Sequence, residues 1–169
     1  MANRITCNAR PELPAIQMQN GLTDVFMEVL AIAASALAQT RSEQAFASWI
    51  ASRDQAVFGL GVVGFDIAEM PWHVATFAED RNFLIRAITT AESKAGWEKL
   101  LGYEPKEDWL MPCLMRLRML VSAFGPHDIG PNSAAIHSTF SESDLSRCET
   151  HGIIMHAYGC PVCNRSMPS

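Results

Sequence analysis

The stretch NGLTDVFMEVLAIAASAL, residues 20–37, gives the clearest structural signal in the chain. Its apolar side chains recur at steps of three and four residues, which is the spacing of one face of an α-helix. The set comprises Leu22, Val25, Phe26, Val29, Leu30, Ala33, Ala36 and Leu37. We therefore predict a helix that buries one face after the turn at Asn20-Gly21, and a mainly α fold built around it.

Helical spacing continues on the C-terminal side of this stretch. Apolar residues follow Ser42, a candidate N-cap, and the sequence leaves open whether they form a second helix or extend the first across a kink near Thr40. Further periodic stretches run from Val74 to the breaker Gly96, and from Asp108 to Gly125-Pro126. We predict a compact bundle of four or five helices.

A glycine-rich segment, FGLGVVGFDIAEMPW at residues 58–72, interrupts the helical pattern and predicts a short buried strand or an ordered loop. Gly59, Gly61 and Gly64 match the dinucleotide-binding fingerprint in their spacing. That fingerprint requires a strand before it and a helix N-terminus after it, whereas Phe65-Asp66-Ile67 and then Pro71 follow here. We therefore do not predict a nucleotide site.

Length and composition predict one domain with a small appendage. The chain has 169 residues, of which 49% are hydrophobic and 18% charged, so it can bury a core. We divide it into an N-terminal arm (1–20), a helical domain (21–125), a linker or surface strap (126–143) that contains Gly-Pro dipeptides, and a C-terminal module (144–169).

Charge and hydropathy restrict the classes of partner. The 13 Lys and Arg residues against 18 Asp and Glu residues give a net charge of −5, which makes nucleic acid an unlikely partner and favours a basic or neutral one. The most apolar stretch, Val25 to Ala38, contains Glu28 and is shorter than a bilayer-spanning helix. No membrane segment is predicted, and the N-terminus lacks the apolar core of a secretory signal.

Cysteine distribution predicts a metal site. Cys7 and Cys113 stand alone, whereas the other three of the five cysteines lie near the C-terminus beside two histidines. An odd, clustered set favours reduced thiols and a metal ion over a disulfide framework, so we expect a cytoplasmic protein.

Two ligand pairs in the C-terminal module have the spacing of a zinc site. Cys148 and His151 form the first pair, Cys160 and Cys163 form the second, and eight residues separate the pairs. Two intervening residues let a tight turn direct both side chains at one ion, and tetrahedral zinc needs two such pairs facing each other. We predict a structural zinc ion with four protein ligands, with His156 as an alternative to His151.

The module resembles short zinc-knuckle and zinc-ribbon modules, which implies a structural role without an activity. Residues 153–155 are expected to form a hairpin between the ligand pairs, with Gly152 and Gly159 free to take positive φ. The module differs from a treble clef because few residues follow Cys163, and we expect no closing helix there.

A second candidate site lies in the segment before the Val74 helix. Asp66, Glu69, Trp72 and His73 lie close together in the sequence without a nearby Lys or Arg, which is typical of an acidic and aromatic recognition surface. The alternative is that Trp72 fills the core and the carboxylates are solvated or cap the next helix.

The leading hypothesis from the sequence is a small bacterial, cytoplasmic protein that binds another protein, as immunity proteins, adaptors and regulators do, with zinc in a structural role. Two alternatives remain. One is an enzyme with a pocket around Asp66, Glu69 and His73, in which His73 acts as a base, although no catalytic residue is assigned. The other is a zinc protein that binds nucleic acid, which predicts strongly salt-dependent binding. The sequence does not indicate an oligomeric state.

Overall fold

The computed structural model describes residues 3–100, 104–130 and 145–166. Over these residues the chain forms six α-helices and a three-stranded sheet, so the mainly α prediction is confirmed with more helices than expected. The helices are α1 (Asn20–Leu37), α2 (Arg41–Ala51), α3 (Gln55–Phe58), α4 (Phe77–Glu92), α5 (Glu107–Ala123) and α6 (Pro161–Ser166). The strands are β1 (Asn3–Thr6), β2 (Ile16–Met18) and β3 (Phe65–Asp66).

Helix α1 is the centre of the fold, because α2, α4 and α5 all pack against it. Every residue from Val25 to Ser35 is buried, so the helix buries its whole circumference and not the single face that its period predicts. Ala31 and Ala34, which lie outside the predicted apolar face, are small enough for neighbouring elements to approach closely there. By length and composition α1 could cross a membrane, but 67% of it is buried inside the protein, as in the core helix of a soluble protein.

Helices α1 and α2 are separate, which answers the question that the sequence left open. Thr40 caps α2, since its side chain accepts a hydrogen bond from the Glu43 N–H while the Glu43 carboxylate accepts one from the Thr40 N–H. The prediction that Ser42 is the N-cap is wrong. Its hydroxyl instead donates to Asp80 Oδ1 on α4 at 2.7 Å, which joins the two helices.

Residues 3–18 contribute two strands and several buried side chains to the core, whereas their sequence predicts an arm at residues 1–20. Strand β1 lies in the middle of the sheet, antiparallel to β2, with Ile5 opposite Ile16, and parallel to β3, with Ile5 opposite Phe65. All three side chains are buried. Strands of two to four residues have too few alternations for the period of two to be recognised in the sequence.

The glycine-rich segment contributes β3 and a close backbone contact, as a short buried strand would. A Cβ added at Gly64 would lie 2.5 Å from the Arg4 carbonyl oxygen, so only glycine permits β1 and β3 to approach each other there. A strand follows Gly64 where the dinucleotide fingerprint needs a helix, which agrees with the expectation that this is not a nucleotide site.

The C-terminal residues 145–166 pack on the helical body and share its core. Five of their side chains belong to the same cluster of buried apolar residues as α1 and α5, namely Cys148, Ile153, Ile154, Cys160 and Val162. These residues are therefore not a separate appendage, as the sequence predicts, but share the core of the helical body. Most of the predicted linker, residues 131–143, lies outside the described residues.

Candidate metal centre and adjacent surface

The four predicted ligands lie together beside the helical body. Ligand atoms of Cys148, His151, Cys160 and Cys163 all lie within 4.8 Å of one another, an arrangement compatible with a metal site. His151 Nδ1 lies 3.5, 3.6 and 3.3 Å from the sulfurs of Cys148, Cys160 and Cys163, respectively. The cysteines are free thiols, and the Sγ atoms of Cys148 and Cys163 are 3.6 Å apart, well beyond the roughly 2.05 Å of a disulfide.

Four of the six separations between the donor atoms are close to those expected in a tetrahedral zinc site. With Zn–S bonds of about 2.3 Å and a Zn–N bond of about 2.0 Å, tetrahedral angles place sulfur and nitrogen about 3.5 Å apart and two sulfurs about 3.8 Å apart. The three nitrogen–sulfur distances of 3.3 to 3.6 Å and the sulfur–sulfur distance of 3.6 Å fit this geometry. The arrangement is therefore compatible with one metal ion shared by the four donors.

A tight turn holds the first ligand pair. Cys148 N–H donates to the Ile153 carbonyl and Gly152 N–H donates to the Cys148 carbonyl, both at 2.8 Å, so the chain between them folds back on itself. Gly152 and Gly159 have φ values of 69° and 103°, as predicted for the residues at these turns. Isolated bridges join Arg147 to Ile154 and His156 to Gly159, in place of a continuous hairpin ladder.

A short helix holds the second ligand pair, and the expectation that no helix closes the module is wrong. Helix α6 begins at Pro161, directly after Cys160, and Cys163 lies in its first turn. The Asn164 N–H donates to the Cys160 carbonyl at 2.9 Å. Proline is well suited to the first helical position because no partner is needed for an N–H there, so even six residues after Cys160 suffice for a helix.

Burial disfavours the charged forms of Cys160 and His151. It raises the pKa of the Cys160 thiol to about 12, with the neighbouring Cys148 and Cys163 adding to the effect. Burial, followed by the charge of Lys99, lowers the pKa of His151 and favours the neutral imidazole that binds metal ions. At Cys148, N–H donors from His151 and Thr150 help to outweigh burial, and the pKa lies below its usual value. A divalent cation would stabilise the thiolates that burial alone disfavours.

His156, the alternative ligand, has different partners. Its Nε2 lies 2.9 Å from Asp54 Oδ2, and its Nδ1 accepts a hydrogen bond from the Tyr158 N–H at 3.1 Å. Both ring nitrogens are therefore engaged away from the cysteine sulfurs. Asp54 also caps α3 and accepts a hydrogen bond from Asn164 Nδ2, so it joins the helical body to residues 145–166, hereafter the metal-binding segment, at two points.

Further polar contacts of the metal-binding segment come from α1, and sequence spacing does not predict them. Ser35 accepts the Ile154 N–H at its hydroxyl and the Arg147 guanidinium at its carbonyl, at 2.8 and 2.6 Å. Arg165 Nε lies 2.9 Å from Glu28 Oε1, and the Glu28 side chain is only 3% exposed. The one available signal was Glu28 itself, because a carboxylate within an apolar helix indicates a partner.

Trp72 does not contribute to the predicted recognition surface. The side chain is 1% exposed, its ring packs against Phe46, Phe77 and Phe124, and its Nε1–H donates to the Ile67 carbonyl at 2.8 Å. Trp72 is thus a core residue, in line with the alternative considered from the sequence. Its hydrogen bond satisfies the only polar atom of the indole, which makes full burial favourable.

The carboxylates of Asp66 and Glu69 serve to order the chain. Asp66 accepts hydrogen bonds from Thr6 Oγ1, the Asn8 N–H and the Ala68 N–H, and Glu69 completes a capping box with Asp66 around the turn at 67–69. His73 is half-buried on the following loop. Both carboxylates therefore have hydrogen-bond partners within the described residues.

An exposed apolar surface lies next to the metal-binding segment. Phe58, Leu60, Val62 and Tyr158, which we call the apolar surface, are 51%, 68%, 60% and 65% exposed. The rings of Phe58 and Tyr158 meet edge to face with centroids 5.9 Å apart, so the C-terminal end of α3 contacts the metal-binding segment at Tyr158. Sequence spacing did not reveal it, because the two segments are a hundred residues apart in the chain.

Comparison with known proteins gives no relative from which a role could be transferred. No family model matches the chain, and neither the curated proteins nor the solved structures include a significant match.

Proposed function

We propose that this protein acts by binding another protein through its apolar surface, and that one structural zinc ion holds part of that surface in place. The observation that carries the proposal is the exposure of Phe58, Leu60, Val62 and Tyr158. Exposed apolar side chains that include neighbouring aromatic rings, as Phe58 and Tyr158 do, are unfavourable in water and are typical of protein interfaces. The cytoplasmic location and the comparison with immunity proteins, adaptors and regulators remain part of this proposal.

The donor set supports zinc as the metal and a structural role for it. Three thiolates and one imidazole in a tetrahedral arrangement are a common zinc ligand set, and they suit hard, oxygen-preferring cations poorly. Four protein donors leave no coordination position for water or substrate. Cys148, His151 and Cys160 are buried and Cys163 is half-buried, which fits an ion that stabilises the segment.

The metal and the surface are connected through the chain. Tyr158 lies between His156, which is bound to Asp54, and Cys160, a proposed ligand. Loss of the ion would free the turn that carries Tyr158 from its anchor at Cys160. The proposal therefore predicts that partner binding depends on the metal although the ion does not contact the partner.

Differential capture from lysate of the native cell tests the proposal. Bait proteins are wild type, a Leu60→Ser/Val62→Ser double variant, and a Met115→Ser/Met119→Ser control that removes two exposed apolar side chains from α5. The expected result is one protein that wild type and control retain and that the first variant loses by about tenfold or more, since hot spots concentrate binding energy in few residues. Equal recovery on all three baits, or self-association in place of another protein, would contradict the proposal.

A further inference from the structure

A small pocket opens within the apolar surface, and one cation borders it. The pocket has a volume of 280 Å³ and is lined by Ser52, Arg53, Phe58, Val62 and Val63. Sites for small molecules usually span about 300 to 1,000 Å³, so this volume suits one side chain of a protein partner better than a cofactor.

Arg53 is held at this pocket by aromatic rings. Its guanidinium carbon lies 4.4 Å from the centre of the Trp49 ring and 6.0 Å from that of Phe65. Stacking on an aromatic face fixes the plane of the guanidinium, which leaves its edge for hydrogen bonding. Both rings are buried core residues, so this support is rigid.

The charge of Arg53 is incompletely satisfied. Burial lowers the pKa of its guanidinium, and Glu69 is the charged group that offsets part of this effect. Among the described residues no hydrogen-bond partner lies near Arg53 Nε, although the atom is buried. A buried donor on a charged group without an acceptor is unfavourable, and most such groups in proteins have partners.

We infer that the pocket receives a carboxylate of the protein partner, carried by an Asp or Glu flanked by apolar residues. The guanidinium edge of Arg53 binds the two carboxylate oxygens, while Phe58 and Val62 pack against the neighbouring apolar side chains. This inference rests on the proposed function, because it assigns the recognition chemistry of the same surface. Since Arg53 is the one cation lining the described pocket, a single carboxylate fits better than a polyphosphate or nucleic acid.

Selection from a random-peptide display library on the zinc-loaded, full-length protein tests the inference. On wild type, we expect enriched peptides to carry an Asp or Glu beside large apolar residues. Replacing that acid by its amide should weaken binding to wild type by about tenfold or more, but should hardly affect binding to Arg53→Gln, because the two changes remove the same interaction. Arg53→Lys should bind at an intermediate level, since an ammonium group cannot form two parallel hydrogen bonds with one carboxylate as a guanidinium does.

The control is Arg86→Gln, which removes the same charge from an exposed position on α4 and should bind as wild type does. Circular dichroism and thermal unfolding establish that each variant is folded. Enriched peptides that lack an acidic residue, or that bind wild type and Arg53→Gln equally, would overturn the inference and leave the proposed function intact. Failure of any peptide to enrich on wild type would also overturn it, whereas the capture experiment decides the proposed function by itself.

Discussion

His156 Nε2 lies 2.9 Å from Asp54 Oδ2, and both side chains are only 3% exposed. The histidine nearest in sequence to the second ligand pair is thus bound to the helical body, and His151 is the one beside the thiols. Substitution of His151 should therefore lower the affinity for the metal ion, whereas substitution of His156 should lower the free energy of unfolding.

The first prediction concerns metal binding. We expect purified wild type to hold one zinc ion per chain, and His151→Ala to lower the affinity by about 100-fold or more, because one of four ligands is lost. His156→Ala should keep the stoichiometry. Elemental analysis measures the stoichiometry, and the visible absorption of the cobalt-substituted protein reports tetrahedral coordination. Cys113→Ser, which alters a buried thiol away from the cluster, serves as the control.

The second prediction concerns the buried pair. Asp54→Ala should destabilise the zinc-loaded protein by about 3 kcal/mol, because His156 and Asn164 lose an acceptor in a buried site. Urea unfolding followed by circular dichroism measures the change. Asp108→Ala, at an exposed position at the start of α5, should change the free energy of unfolding by less than about 0.5 kcal/mol. An equal effect of the two substitutions would show that Asp54 has no special role.

The third prediction concerns pH. Burial, partly opposed by Arg165, raises the pKa of Glu28 from 4.5 to about 8. The folded state thus binds a proton that the unfolded state releases, and this stabilisation is complete below pH 4.5 and declines as the pH rises through about 8. Between pH 6.5 and 8.5 the free energy of unfolding of wild type should fall relative to that of Glu28→Gln.

We expect the difference between these two proteins to change by about 1 to 2 kcal/mol across this interval, since each pH unit corresponds to about 1.4 kcal/mol per proton. Denaturant unfolding at four or five pH values measures it. Glu79→Gln, an exposed position in the first turn of α4, should show the pH dependence of wild type. Parallel curves for wild type and Glu28→Gln would refute the raised pKa.

The fourth prediction concerns the sheet. Gly64→Ala should destabilise the protein by about 2 kcal/mol or more, because the new methyl group would lie 2.5 Å from the Arg4 oxygen and 2.7 Å from its nitrogen, both backbone atoms. Gly21→Ala is the matched control, since no atom lies within 4 Å of its added Cβ, and it should be neutral or slightly stabilising. Thermal unfolding of both variants measures the difference.

The local features of this protein follow from its sequence. The period of three and four residues predicted helices α1, α2, α4 and α5, because a helix repeats its contacts over the same few residues wherever it lies. The spacing of the two ligand pairs predicted which four residues approach one another, since each two-residue gap forms its turn locally. Gly152 and Gly159 took the positive φ values that those turns require.

Contacts between residues far apart in the chain could be found only in the tertiary structure. The central position of β1, the burial of Trp72, the pairing of His156 with Asp54, and the meeting of Phe58 with Tyr158 each join segments separated by tens of residues. No local pattern specifies such contacts, because burial and hydrogen bonding depend on which surfaces pack together when the whole chain folds. Residues 145–166 therefore became part of the helical body, although their sequence reads as a separate module.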